Sequence, residues 1–220
     1  MVDLVEIMAR LRSPDGCPWD REQDHRSLRR CLLEEAYEVL EAIDRGDAAA
    51  LRDELGDLLL QVIFHAQLAD EAGEFDAWDV VQALYDKLVS RHPHVFGEAE
   101  AETSEDVLHQ WDGLKRRERG ESEDNADPFE GVPRALPALS RAQVIARRTA
   151  RAAPGPTAEE AAASARAALA ALGAPGLDPD QAEMVLGDLL LAVVELARLA
   201  GLDAEQALRE RVDHRLEELR

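Results

Sequence analysis

Leu32-Leu33-Glu34-Glu35-Ala36-Tyr37-Glu38-Val39-Leu40 and, after fifteen residues intervening between Glu38 and Glu54, Glu54-Leu55-Gly56-Asp57-Leu58-Leu59-Leu60 are the stretch on which fold and chemistry turn. Leu32, Leu33, Ala36, Val39, Leu40 and Ile43 make one apolar stripe at helical spacing. Glu35 falls at the edge of that stripe and Glu38 just beyond it, while Glu34 and Glu41 turn toward solvent. The second segment is apolar almost all the way round and carries Glu54, Asp57 and Gln61 on a single strip. The polar turn Arg45-Gly46-Asp47 between them predicts an antiparallel helix pair whose carboxylates meet at mid-height. Carboxylates converging beside apolar side chains repel one another unless cations lie between them. A divalent metal site is therefore expected, with Glu35, Glu38, Glu54 and Asp57 as ligands. The four acids make an all-oxygen set, which points to Mg²⁺, with Mn²⁺ as the substitute, over Zn²⁺.

The rest of the chain agrees with an all-α protein. Ala, Leu, Glu and Arg dominate its 220 residues, aromatics are 4%, and alternating β-branched runs are rare. A hydrophobic content of 46% supports a core, and no segment approaches the apolar length of a membrane span. The formal charge of −21 disfavours nucleic acid and anionic membranes as partners. An anionic small substrate then needs metal ions and a local basic patch. Two cysteines, Cys17 and Cys31, make no disulfide framework, and the amphipathic N-terminus does not read as a signal peptide; both fit a cytoplasmic protein.

In order, helices are expected over 2–11, from 25–27 to 44, from about 49 to 72, over 75–90, and from a Thr103-Ser104-Glu105-Asp106 cap through Trp111 and Lys115. Cys17-Pro18-Trp19-Asp20 reads as irregular. Further helices follow over 136–151, 158–172, 180–199 and 203–219. These divide into an N-terminal module (1–118), a polar, breaker-rich linker (119–133) and a C-terminal module (134–220).

The two modules are related. Leu55-Gly56-Asp57-Leu58-Leu59-Leu60 recurs as Leu186-Gly187-Asp188-Leu189-Leu190-Leu191, and Ala66-Gln67-Leu68-Ala69 is echoed at the same offset by Ala197-Arg198-Leu199-Ala200. The second copy has lost its acids. Asp188 matches Asp57, but Val185 stands in place of Glu54, and Ala165, Arg166 and Leu169 stand opposite Glu34, Glu35 and Glu38. One carboxylate of four cannot assemble a Mg²⁺ site, so the second module is expected to be catalytically dead. The nearly all-round apolar character of the Leu55–Leu68 helix predicts a homodimer or larger bundle.

Glu34-Glu35-x-x-Glu38 followed by Glu54-x-x-Asp57 resembles the signature of the MazG family of nucleoside triphosphate pyrophosphohydrolases. Gly16-Cys17-Pro18-Trp19-Asp20, Asp86-Lys87-Leu88, Arg91-His92-Pro93-His94-Val95-Phe96 and Leu136-Pro137-Ala138-Leu139-Ser140-Arg141-Ala142-Gln143 are similar to further family stretches. The resemblance implies tandem all-α modules, Mg²⁺ dependence, and hydrolysis of an NTP or dNTP to the monophosphate and diphosphate. It implies Glu35, Glu38, Glu54 and Asp57 as metal ligands, Lys87 and Arg91 on the triphosphate, and Trp111 with Lys115 on the nucleotide. Lys87 and Lys115 are the two lysines among 25 basic residues, and a compact ammonium suits phosphate. Glu34 or Glu38 is the expected general base. For Trp111 a half-buried packing role stands beside base stacking, for Asp57 a salt bridge to arginine stands beside ligation, and His92 and His94 read as capping or packing groups.

Two alternatives accompany this reading. One is an all-α pyrophosphohydrolase specialised for dUTP, dCTP or phosphoribosyl-ATP, built on the same carboxylates. The other is a non-enzymatic helical scaffold or regulatory dimer whose acids are only a solvated face. A di-iron bundle is disfavoured because the core helices lack Glu-x-x-His pairs.

Overall fold

The computed structural model describes residues 2–99, 101, 103, 107, 127 and 129–220, and every regular element among them is helical. The chain divides into two compact units, Met1–Arg119 and Gly120–Arg220. Expectations that fall on 104–106, on Trp111 and Lys115, and on most of the linker lie outside the described residues.

The first unit contains α1 (Val2–Arg12), α2 (Pro18–Glu22), α3 (Arg29–Arg45), α4 (Ala48–Ala72), α5 (Ala77–Arg91) and α6 (Pro93–Phe96). The helix α2 occupies residues whose sequence reads as irregular. Pro18 sits in its first turn, where a fixed φ suits the helix and the missing N–H costs nothing. α3 starts later than its periodicity suggests. The Asp24 carboxylate accepts from the backbone N–H groups of Arg26 and Ser27 at 2.8 and 2.7 Å, and this local turn consumes 24–27 before helix can begin. Gly46 ends α3 in the left-handed region at φ 65°, and the Asp47 carboxylate caps α4 through Ala49 and Ala50 N–H. Two residues thus fold α3 back along α4.

Met8, Leu28, Ile63 and Phe64 form the core of this unit, with Val5, Leu11 and Leu68 packed against it. Arg12 clamps the rim of that core. Its side chain is 8% exposed, pairs with Glu71 in a fork at 2.8 and 2.7 Å, and lies 5.5 Å over the Phe64 ring. The same guanidinium donates to the carbonyls of Asp20 and Gln23, tying the 13–24 segment to α4.

A second tie joins His25, before α3, to His65 on α4, with Nδ1···Nδ1 at 2.8 Å. The ring planes are parallel and their centroids are 5.1 Å apart, which exceeds the nitrogen separation by about one imidazole width. The rings therefore meet edge to edge, aligned for one shared proton. Burial, and then the neighbouring His25, hold His65 below the ordinary imidazole range. The unfolded chain thus binds the extra proton more readily. The tie's contribution is present above about pH 6.5 and is lost as pH falls through the depressed value. Thermal midpoints measured from pH 7.5 to pH 5.5 or so should drop more steeply for wild type than for His65→Phe. Parallel curves would contradict this.

The second unit contains α7 (Ala138–Ala152), α8 (Ala158–Leu172), α9 (Pro179–Leu199) and α10 (Ala204–Glu218). Thr157 and Glu160 form a capping box at the start of α8. Alanines on α8 let it lie close along α9, where Ala161, Ala192 and Val194 are buried. Buried Gln143 donates from Nε2 to the Leu202 carbonyl and accepts the Ala204 N–H at 3.0 Å, pinning the α9–α10 turn to α7. Its role is structural.

Candidate metal centre

α3 carries Glu35 and Glu38 one turn apart, and α4 carries Glu54 and Asp57 in the same relation. Packing of the two helices brings one carboxylate oxygen from each of Glu35, Glu38 and Glu54 to within 4.8 Å of one another. Glu35 and Glu54 are half-buried and Glu38 is exposed. The crowding appears in their acidities. Burial raises the Glu35 carboxyl above its ordinary value, followed by the charges of Glu38 and Asp57. Glu54 is raised by burial, then by Glu38 and Asp57. Asp57 thus stands close enough to act on both without joining the tight trio. It is exposed and has no arginine partner among the described residues.

The neighbouring acids behave differently. Glu34 points along its own helix and accepts from Arg30 Nε at 2.8 Å, outside the trio. Glu41 pairs with Arg45 on the solvent face. The trio is an all-oxygen, hard donor set with room for a small divalent cation, and it is the kind of site that a cation relieves electrostatically.

Lys87 and Arg91 lie one turn apart on α5, which packs against α4; Lys87 is exposed and Arg91 partly buried. His92 caps α5, with Nδ1 2.6 Å from the Leu88 carbonyl. His94 packs beside His92, with ring centroids 5.6 Å apart. Trp111 and Lys115 lie outside the described residues.

Gln61 is a residue to which sequence reasoning assigned no role. It is 5% exposed, and its Oε1 is sealed from solvent with no hydrogen-bond partner among the described residues. An unpaired buried acceptor costs about 1–3 kcal/mol, so its position calls for a reason. The legible signal was its register, one turn beyond Asp57 on the strip that begins at Glu54.

In the second unit the corresponding groove between α8 and α9, about 590 Å³, is lined by Ala167, Ala168, Ala171, Val185, Asp188 and Ala192 among others. Asp188 occupies the place of Asp57, but Val185 stands in place of Glu54, and Arg166 and Leu169 stand opposite Glu35 and Glu38.

Residues 23–96, which span this hairpin and the helix after it that carries Lys87 and Arg91, match the model of the MazG nucleotide pyrophosphohydrolase domain. A nucleoside triphosphate pyrophosphohydrolase of Escherichia coli K12 is 44% identical over 213 residues, covering 94% of this chain and 81% of that protein. The nucleoside triphosphate pyrophosphohydrolase/pyrophosphatase MazG of Thermotoga maritima is 39% identical over 213 residues, covering 94% and 79%. A crystal structure of a mazG-related protein from Thermotoga maritima aligns with 53% of this chain and 99% of its own at 29% identity and TM-score 0.45. With its helical hairpin of converging carboxylates and relatives matched over nearly its whole length, this chain belongs to the MazG family.

Proposed function

We propose that the chain is a Mg²⁺-dependent nucleoside triphosphate pyrophosphohydrolase that converts NTP or dNTP and water to the monophosphate and diphosphate. The observation that carries this reading is the convergence of Glu35, Glu38 and Glu54 within 4.8 Å, with Glu35 and Glu54 pushed toward protonation by burial and by one another's neighbours. These three, with Asp57 beside them, hold the cation in this reading. When bound, Mg²⁺ offsets the charge of the triphosphate and makes a water more acidic. Glu38, the exposed acid of the trio, orients that water; Glu34 is held by Arg30 and adjoins the site. Lys87 and Arg91, on one face of α5, compensate the departing diphosphate, and Trp111 with Lys115 contacts the nucleotide.

The reading extends to assembly. Leu33, Leu40 and Ile43 on α3 and Leu55, Leu59 and Val62 on α4 are each 39% or more exposed in the single chain. So much apolar surface on the two helices that carry the site supports a homodimer. Among the described residues no helix is long and apolar enough to cross a membrane.

Product analysis across all NTPs and dNTPs with Mg²⁺ tests the activity. Monophosphate and diphosphate are expected, with loss on chelation; release of orthophosphate, or hydrolysis indifferent to chelator, would overturn it. Asp188→Ala should keep wild-type turnover within about twofold, since the groove's other acid, Glu195, is paired with Arg198 and Asp188 alone offers a cation too few ligands. A large loss in that variant would place activity in the second unit instead.

A further inference from the structure

The orphaned oxygen of Gln61 fits the metal centre. Glu54, Asp57 and Gln61 follow one another at helical spacing on α4, and side chains of a helix lean toward its N-terminus, which carries Gln61 back toward the two acids. The repeat supplies an independent check. Its equivalents of Glu54, Asp57 and Gln61 are Val185, Asp188 and Ala192, and all three line the single groove between α8 and α9. The position of Gln61 therefore faces the inter-helical groove that the carboxylates occupy. Where the acids have been replaced, the carboxamide has gone too.

Among the described residues the acceptor at this place has nothing to accept from. Ionised carboxylates are acceptors only, so a donor must arrive with whatever the carboxylates bind. We infer that Gln61 is a positioning residue of the metal centre, its Oε1 accepting a hydrogen bond from a water that the cation carries. The inference rests on the reading of Glu35, Glu38 and Glu54 as the cation site. A carboxamide here adds no charge to a crowded anionic cluster, yet fixes the direction of the cation's hydration shell. Its buried oxygen is satisfied only in the loaded protein.

The test is Mn²⁺ titration of the full chain, with free Mn²⁺ read by electron paramagnetic resonance, for wild type, Gln61→Leu and Glu38→Gln, each with a metal-free thermal midpoint. Gln61→Leu should weaken Mn²⁺ binding about 10-fold or more, while its metal-free midpoint holds or rises because an unpaired buried oxygen has been removed. Gln61→Met, unbranched and of similar length, carries the same expectation if the leucine variant does not fold. Wild-type Mn²⁺ affinity in the Gln61 variant, alongside lost binding in Glu38→Gln, would overturn this inference and leave the cation site standing. Wild-type affinity in Glu38→Gln would remove the cation site itself. Unchanged Mn²⁺ affinity with a lowered metal-free midpoint would make Gln61 a packing residue.

Discussion

Glu38→Gln should abolish metal-dependent hydrolysis and, in the same protein, raise the stability of the metal-free state. The loss of activity should be at least about 10²-fold, because residues that merely support metal ligands are already worth about 10–100-fold. The gain in stability follows from the raised pKa of Glu35 and of Glu54, for each of which Glu38 is the largest cause after burial. A carboxyl whose folded value lies above its unfolded one binds protons more readily in the native state. Stability then falls as pH rises through that window, and the ionised cluster weakens the fold at neutral pH. Removing one charge relieves two neighbours. The metal-free midpoint of Glu38→Gln should exceed wild type by a few degrees near neutrality, and the gap should close toward about pH 4, where the acids are protonated in both proteins. Added Mg²⁺ should raise the wild-type midpoint and leave the variant nearly unmoved. A variant less stable than wild type at neutral pH would show that Glu38 is not crowded, and retained turnover would show that it is dispensable.

Gly16→Ala should cost more than about 3 kcal/mol of stability, with folding lost altogether as the extreme outcome. A Cβ at Gly16 would stand 2.1 Å from the Leu11 carbonyl oxygen and 2.5 Å from that of Arg10. Both are backbone atoms in the last turn of α1, so no rotamer change makes room. The close approach is held by hydrogen bonds from Gly16 N–H to Ser13 O at 2.8 Å and Cys17 N–H to Leu11 O at 2.7 Å. Relief would require α1 to unwind at its end or the 13–17 segment to lift. Either move would pull Arg12 from the Asp20 and Gln23 carbonyls that it clamps. Urea denaturation reads the effect directly. Gly56→Ala is the internal control, since nothing lies within 4 Å of a Cβ there and alanine is worth up to about 1 kcal/mol over glycine in a helix interior. A Gly16→Ala midpoint matching wild type would show that the approach is not so close.

Much of this architecture was legible from residues close together in the chain. Gly46, Gly73, Asp47 and the Thr157–Glu160 box ended and began helices where their chemistry predicts, because caps and left-handed turns act within a few residues. The wheel placing Glu35 at the edge of an apolar stripe, with Glu41 turned to solvent, agrees with a half-buried Glu35 and an exposed Glu41–Arg45 pair. The start of α3 was misread by a few residues because the Asp24 side chain competes for the same backbone N–H groups that a helix would use. The helix α2 was missed because five residues hold too little periodicity to register.

Composition and helical spacing marked this protein as all-α, and the recurrence of residues 55–60 as residues 186–191 marked a second stretch that keeps one acid where the first has four. Only the tertiary structure decided which acids meet, drawing Glu35, Glu38 and Glu54 together, leaving Asp57 at the margin and turning Glu34 to Arg30. It also decided that Arg12 grips Glu71 across 59 positions, that His25 meets His65, and that Gln61 is buried with its oxygen unpaired. The reason is the range of the forces involved. Periodicity and caps are set within one or two turns, whereas the meeting of side chains across a groove depends on the register and packing of helices far apart in the chain.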